Sequence, residues 1–162
     1  MTTRWLDDQE RAAWVRLAAV MELLPGVLDS QLRRDSGLTH FEYWVLAMLS
    51  EAPERTLRMS SLAGRTSATL PRLSHVVSRL EERGLVERFP CPEDRRAVNA
   101  RLTDAGWTAI VAAAPGHVEQ VRASVVDALS PAQLEALSDV ADAILERIDP
   151  DVLAEVRSRT VR

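Results

Sequence analysis

Apolar residues recur every three or four positions along most of the chain, which predicts a mainly helical fold. The helical pattern covers four longer stretches, 6–37, 39–51, 69–83 and 104–148. Strand-like runs occupy only 85–90 and 97–102, and the polar loop 91–96 joins them as a hairpin. We therefore expect an α+β protein in which helices dominate and one small β-hairpin is inserted.

Local signals set the ends of these elements. An Asp, Thr or Ser followed three positions later by Glu or Gln forms a capping box, which satisfies two free amides at a helix start. Such pairs begin at Asp7, Thr39 and Ser130. Pro25-Gly26 predicts a kink or short break in the first helix, and Pro115-Gly116 an interruption in a later one. Residues 151–162 are expected to add a frayed turn or to stay mobile.

The helix predicted over 69–83 has two different faces. Its apolar stripe consists of Leu73, Val76, Val77 and Leu80. The opposite face carries hydrogen-bond donors, Arg72, Ser74, His75, Ser78 and Arg79. Thr69 is a suitable N-cap and Gly84 a suitable C-terminal residue. Ser60 is expected to cap a short helix over 61–65 just before it, and 57–59 to add a third strand. Short helix, donor-rich helix and hairpin in this order indicate a winged helix-turn-helix.

Two neighbouring sequence motifs resemble a known family. The segments RLEERGLVER and PEDRRAVNARLTDAG are similar to the MarR (multiple-antibiotic-resistance regulator) family of winged-helix transcriptional regulators. The match is strongest over 57–107, and the D-x-R of the family's wing falls on Asp94 and Arg96. The resemblance implies one domain over 1–162, in which a DNA-binding lobe (39–102) is set in a frame of dimerisation helices (6–37 and 104–148).

The donor-rich helix face has two readings. It is either a solvated surface or the part of the protein that reads DNA, and its place between a short helix and a basic hairpin favours DNA. Arg72 or His75 could donate to guanine, while Ser74 and Ser78 suit phosphate or base. We place Thr69 at the same interface. For Arg79, phosphate contact and an ion pair with Glu82 or Glu87 are equally favoured.

The hairpin tip is expected to reach a minor groove. Narrow minor grooves attract arginine, so Arg95 and Arg96 are candidate contacts, although both could be ordinary turn residues. Asp94 would repel phosphate, so charge logic and the family pattern together give it the role of holding a wing arginine. Cys91 is either a redox-active thiol near arginines or incidental. The family's peroxide sensors carry their cysteine in the N-terminal helix, where this chain has none, which favours the incidental reading.

The long terminal helices have more apolar periodicity than a winged helix alone can cover. Together with the resemblance, this predicts a homodimer with twofold symmetry that reads two half-sites of a pseudo-palindromic operator. The family also implies a pocket for a small aromatic or phenolic effector between frame and lobe, where we expect Trp14, Met21 and His117. The alternative is that Trp14 is core and His117 a satisfied polar neighbour.

Charge is divided unevenly along the chain. The whole chain carries −4, but residues 55–101 hold ten Arg against five acids, while both flanking segments are acidic. A basic segment in an acidic body is typical of a DNA-facing surface. The function expected is a sequence-specific transcriptional regulator, a repressor more often than an activator. The alternative is a winged-helix module that binds protein and not DNA.

Other classes of protein find little support in the sequence. The three histidines and the single cysteine are too scattered for a zinc site, and neither a nucleophile–base pair nor a Gly-rich phosphate loop is visible. We expect no enzyme activity, cofactor or metal. No apolar run is long enough for a membrane span and no secretory signal is visible, so a cytoplasmic, nucleoid-associated protein is expected.

Overall fold

The computed structural model describes residues 2–92 and 94–160, except the side chains of residues 95 and 160. The helices are α1 (Asp8–Ser36), α2 (His40–Ser50), α3 (Met59–Arg65), α4 (Leu70–Glu82), α5 (Asp104–Ser124), α6 (Pro131–Ile148) and α7 (Pro150–Thr160). The strands are β1 (Thr56–Arg58), β2 (Val86–Cys91) and β3 (Asp94–Leu102). Short 3₁₀ turns lie at Pro53–Arg55 and Val126–Ala128. The expected class, mainly helical with a small β-hairpin, is confirmed.

The three predicted capping boxes form. Asp7, Thr39 and Ser130 each accept from the amide of the Glu or Gln three residues on, and that residue's side chain accepts from the cap amide in return. The cap predicted at Ser60 is wrong. Helix α3 begins at Met59, after Arg58, and has no side-chain cap. Strand β1 runs directly into it, which leaves Ser60 inside the first turn.

Neither Pro-Gly pair interrupts its helix, so the interruption predicted at Pro115-Gly116 is wrong, as is the short break that was one of the two expectations at Pro25-Gly26. Helix α1 runs without interruption through Pro25, and α5 through Pro115. A proline inside a helix leaves the carbonyl four residues earlier without its amide partner. Here those carbonyls belong to Met21 and Val111, both on exposed residues, so water can take the place of the missing donor. The helices therefore continue.

The C-terminal segment is also more ordered than expected. Asp149 accepts from the amides of Asp151 and Val152 and so caps α7, with Pro150 at its first position, where proline is favoured. Leu153 is buried. Helix α7 packs on the lobe through ion pairs Arg65–Glu155 and Arg159–Glu51, each 2.9 Å. The prediction of a frayed turn was wrong because these partners lie far away in sequence.

The sheet has the order β1-β3-β2 and is antiparallel throughout. Strand β1 lies close to the predicted third strand and pairs with β3. Strand β3 begins at Asp94, not at residue 97, because Asp94 pairs with Cys91 across an irregularity after Pro90. The predicted six-residue loop is thus a much tighter turn.

Helix α2 lies at the centre of the core. Val45, Leu46, Met48 and Leu49 are fully buried, and they share one cluster with the buried stripe of α4 (Leu73, Val77, Leu80) and with residues of α3, β3 and α5. Predicted stripe residue Val76 is only half-buried. Because this stripe faces α2, the donor-rich face of α4 points away from the core.

Much of the remaining apolar surface lies on α1 and α6. Trp14, Val20 and Met21 are exposed on the N-terminal half of α1, as are Leu137 and Val140 on α6. Every residue of α6 is at least partly exposed in the single chain. These helices therefore leave apolar faces that the rest of the chain does not cover.

Gly106, in the first turn of α5, lies too close to the backbone of Leu85, just after α4, to carry a side chain. A Cβ added at Gly106 would lie 2.1 Å from the carbonyl oxygen of Leu85. We expect Gly106→Ala to lower the free energy of unfolding by at least about 2 kcal/mol, because backbone must move. The matched control is Gly64→Ala in α3, where nothing lies within 4 Å and a gain of up to about 1 kcal/mol is expected. Equal urea midpoints for the two variants would contradict this packing.

Candidate nucleic-acid interface

The two ends of α4 are held in place by backbone and cap hydrogen bonds. The Thr69 hydroxyl accepts from the amide of Arg72 at 3.4 Å. At the other end Gly84 has φ +70°, and the amides of Gly84 and Leu85 donate to the carbonyls of Glu81 and Leu80, each at 2.9 Å. This pair of bonds is the Schellman termination that glycine permits. The predicted caps at Thr69 and Gly84 are confirmed, and α4 is a helix of defined length.

The residues predicted to contact DNA lie together on the outer side of α4, but their side chains differ in exposure. Arg72 and His75 are exposed, as is Thr69, while Ser74 and Ser78 are half-buried. The guanidinium carbon of Arg72 lies 4.4 Å from the centre of the Phe41 ring on α2. Such a cation–π contact restricts the arginine without using its hydrogen-bond donors. The structure thus brings this set of donors together on one surface.

Arg79 is bound to the core. Its Nη2 lies 2.6 Å from Oε1 of Glu42, a carboxylate only 1% exposed. The other oxygen of Glu42 accepts from the amide of Thr39 at 2.8 Å, with Arg83 Nη1 at 3.6 Å. The ion pair predicted for Arg79 exists, but its partner is neither Glu82 nor Glu87. Sequence spacing missed Glu42 because 37 residues separate the pair.

A second ion pair fixes the wing, the hairpin of β2 and β3, against α4. Arg88 at the middle of β2 donates to Glu81 from Nη2 and Nε, at 2.6 and 2.9 Å, and from its amide at 3.0 Å. These bonds, opposed only by partial burial, lower the pKa of the Glu81 carboxyl. Strand β2 of the wing and helix α4 are therefore joined by hydrogen bonds of side chains as well as by the short backbone segment between them.

At the wing tip, Asp94 acts on the backbone. Its Oδ1 accepts from the amide of Arg96 at 3.0 Å, which closes the turn locally. Arg96 is exposed, as predicted for a minor-groove contact. The contact predicted for Arg95 lies outside the described side chains. Cys91 is buried at the base of the turn, and a buried thiol is not presented to oxidants, which favours the incidental reading.

The residues expected to line an effector pocket do not meet within one chain. His117 contacts Tyr43, with ring centres 4.3 Å apart, and lies 6.0 Å from the His40 ring. Its neighbour Gly116 approaches Gln31 on α1. Trp14 is 17 residues before Gln31, about 26 Å along the helix, and Met21 about 15 Å. Both are exposed, which contradicts the alternative that Trp14 is core.

The cluster around His117 is short of hydrogen-bond partners. His117 Nδ1 and Gln31 Oε1 are buried, and neither has a partner among the described residues. Burial lowers the pKa of His117, and nearby His40 lowers it further. Burial also lowers the pKa of His40, with Asp29 acting in the opposite direction. The two rings are therefore held in the neutral form.

No group of three or more His, Cys, Asp or Glu side chains among the described residues could hold a metal ion. No helix in that part of the chain is long and apolar enough to cross a membrane.

Several known proteins share this fold and part of this sequence. The MarR family model matches residues 38–98. Sco3205 of Streptomyces coelicolor, a MarR family transcriptional regulator whose structure is in complex with DNA, is 42% identical, with a TM-score of 0.89 over 92% of this chain and 93% of its own. AbsC, a MarR family regulator from the same organism, is 39% identical, with a TM-score of 0.86 over 90% of this chain and 98% of its own.

A curated relative agrees over a shorter span. YfiV of Bacillus subtilis (strain 168), an HTH-type transcriptional regulator, is 30% identical over 100 residues. That match covers 61% of this chain and spans 60% of the relative's length. The fold is that of a winged-helix protein with long flanking helices. The chain belongs to the MarR family of transcriptional regulators.

Arg79→Ala should destabilise the fold. The change leaves the buried Glu42 carboxylate without its 2.6 Å donor, so we expect a loss of about 2 kcal/mol in the free energy of unfolding. Arg72→Ala is the matched control on the same helix, where loss of an exposed cation–π contact costs about 0.5–1 kcal/mol. Urea unfolding at fixed protein concentration measures both. Equal losses would show that the Glu42 contact adds nothing to stability.

Stability should fall on mild acidification. Because the folded pKa values of His117 and His40 are lowered, the unfolded chain binds protons first, so their contribution is complete above the usual value of 6.5 and is lost as pH falls below it. We expect a smaller drop in urea midpoint between about pH 7.5 and 5.5 for His117→Gln than for the unchanged protein. His75→Gln, which removes an exposed histidine, is the control. An undiminished drop in His117→Gln would show that His117 does not cause it.

Proposed function

We propose that this chain binds double-stranded DNA in a sequence-specific manner and regulates transcription, as a repressor. The observation that carries the proposal is the surface made by α4 and the wing. Arg72 and His75 are exposed there, the core holds the opposite side of the helix, and Arg96 projects from the adjacent turn. Residues 55–101, which contain this surface, carry a net charge of +5 in an otherwise acidic chain.

The geometry suggests a role for each part of the surface. A helix fits the major groove of B-DNA, where Arg72 and His75 can donate to the N7 and O6 acceptors of guanine. The hydroxyls of Thr69, Ser74 and Ser78 suit phosphate oxygens along the groove edge. Arg96 enters the neighbouring minor groove from the wing tip. Arg79 is assigned to the fold instead, because Glu42 holds it. The complex of Sco3205 with DNA, in a protein 42% identical to this one, supports DNA binding by this chain.

The uncovered apolar faces support a homodimer. Trp14, Val20 and Met21 on α1, and Leu137 and Val140 on α6, are exposed in one chain, and apolar area of this extent is rarely left in water. We assign residues 6–37 and 104–148 to a dimer frame and residues 39–102 to the DNA-binding lobe. A twofold dimer presents two copies of α4, which suits a pseudo-palindromic operator.

Release by a small effector follows from the same arrangement. His117, Tyr43 and Gln31 lie where α1, α2 and α5 meet, between the frame and the lobe, and two buried polar atoms there have no hydrogen-bond partner in the part of the chain that the structure describes. A small aromatic or phenolic molecule that satisfies them would favour one spacing of the lobes. Trp14 and Met21 can complete such a site only from the partner chain. The effector must bind one spacing better than the other, because equal affinity shifts nothing.

Two other classes fit less well. A winged helix that binds protein would be favoured by an acidic or apolar α4 face, and this face is mainly a donor surface. For an enzyme the comparisons offer no support, because the similar proteins are transcriptional regulators, and no group of three or more His, Cys, Asp or Glu among the described residues could hold a metal ion. We therefore propose a non-enzymatic regulator that works in the cytoplasm, at the nucleoid.

Salt titration tests DNA binding. A duplex enriched by the protein from a randomised library is labelled, and affinity is measured by fluorescence anisotropy at several salt concentrations. If a dimer neutralises about six phosphates, log affinity should fall against log salt with a slope of about −5. Asp94→Ala should weaken binding despite the added positive charge, because the turn that carries Arg96 loses its hydrogen bond.

Three outcomes would contradict the proposal or one of its parts. A library from which no sequence is enriched, or a slope near zero, would show that the basic segment does not face DNA. Tighter binding by Asp94→Ala at fixed salt would show that bulk charge matters more than the wing turn.

Val20→Glu serves as the dimer control, since a charge on the exposed α1 face should give monomers by light scattering and loss of operator binding.

A further inference from the structure

The first turn of α4 carries apolar side chains that the core does not use. Leu70 is 51% exposed and Pro71 is exposed, whereas Leu73, Val77 and Leu80 of the same helix are fully buried. An isolated exposed leucine is common, but here it is adjacent to a second apolar residue on the surface proposed to enter a DNA groove. Neither residue is needed in the core, so both are available to contact a binding partner.

Helical geometry puts Pro71 on the reading side and Leu70 between that side and the buried stripe. With 3.6 residues per turn, Pro71, His75 and Ser78 fall roughly on one line, opposite the buried stripe. Ser74 falls beside that line on the side of the wing and Leu70 falls further round on the same side, while Arg72 falls on the side of α2, where it contacts Phe41. The apolar pair therefore lies next to the candidate donors and closer to the helix tip.

A cleft separates this turn from the wing. It has a volume of about 540 Å³, and its walls include Leu70, Pro71 and Ser74 on one side and Arg96, Ala97 and Val98 on the other. Val98 is 42% exposed. Apolar walls with an arginine and a serine hydroxyl at the rim complement a DNA strand, which offers phosphate oxygens beside apolar groups. The cleft favours nucleic acid over an apolar peptide because of this rim.

Only one base carries an apolar group on its major-groove edge, namely the 5-methyl of thymine; the other edge groups are hydrogen-bond donors or acceptors. We propose that Leu70 and Pro71 contact a thymine methyl in each half-site, next to the bases read by His75 and Arg72. This inference rests on the proposed DNA binding and adds a specificity rule to it: the operator has a thymine at the position facing the first turn of α4.

Replacing thymine by deoxyuridine removes only the methyl group, so it tests the contact directly. Each thymine of the enriched operator is replaced in turn, symmetrically in both half-sites, and affinity is measured for the unchanged protein and for Leu70→Ala. At one position the unchanged protein should lose about threefold to fourfold per half-site, the value of one buried methyl. Leu70→Ala should bind the thymine operator more weakly and lose little further at that position.

Val98→Ala is the matched control, because it shortens an exposed apolar residue on the opposite wall of the cleft. It should keep the full sensitivity to deoxyuridine. The inference is overturned if no thymine is sensitive, or if Leu70→Ala retains the same loss as the unchanged protein, which is the result expected when Leu70 packs on deoxyribose. Failure of the unchanged protein to enrich any operator would instead overturn the proposed function.

Discussion

The orientation of helix α4 depends on the hydrogen bonds of one buried carboxylate, that of Glu42. One oxygen accepts from the amide of Thr39 and so completes the cap of α2, while the other binds Arg79 of α4. A carboxylate this deeply buried is tolerated only when its oxygens are paired and hydrogen-bonded. One side chain thus links the start of the central helix to the last turn of α4, and together with the apolar stripe it fixes which way the donor face points.

The wing is tied to the same helix from the other side. Glu81 of α4 binds both the backbone and the guanidinium of Arg88 on β2. Helix α4 therefore has an ion pair on each flank, to α2 through Arg79 and to β2 through Glu81, with the apolar stripe between them. The outer side that remains does not face the core, and this is where the candidate DNA contacts lie.

Local patterns predicted most of the fold correctly because they report local physics. The capping boxes at Asp7, Thr39 and Ser130, the α4 stripe and the hairpin all depend on residues a few positions apart. The errors have a different origin. The expected breaks at Pro25 and Pro115 failed because exposure of the orphaned carbonyl decides their cost, and exposure is a property of the fold. Helix α7 was missed because its partners are on α2 and α3.

The candidate site divides in the same way. The donor face was predictable from spacing, but its supporting residues Phe41 and Glu42 were not, since they come from another helix. The apolar tip at Leu70 was visible in the sequence, yet no pattern showed that the core would leave it exposed. Trp14 and His117 are not neighbours within one chain, because an unbroken α1 places them far apart.

The position of α7 limits how the lobe can move. The lobe is joined to the long helices at the α1–α2 turn and at the β3–α5 junction, and it shares with them the buried cluster that includes Leu32 of α1 and Ile110 of α5. Helix α7 adds a third support through Arg65–Glu155 and Arg159–Glu51. Partly exposed ion pairs weaken as salt rises. Raising the ionic strength should therefore loosen this third support, separately from its effect on attraction to phosphate.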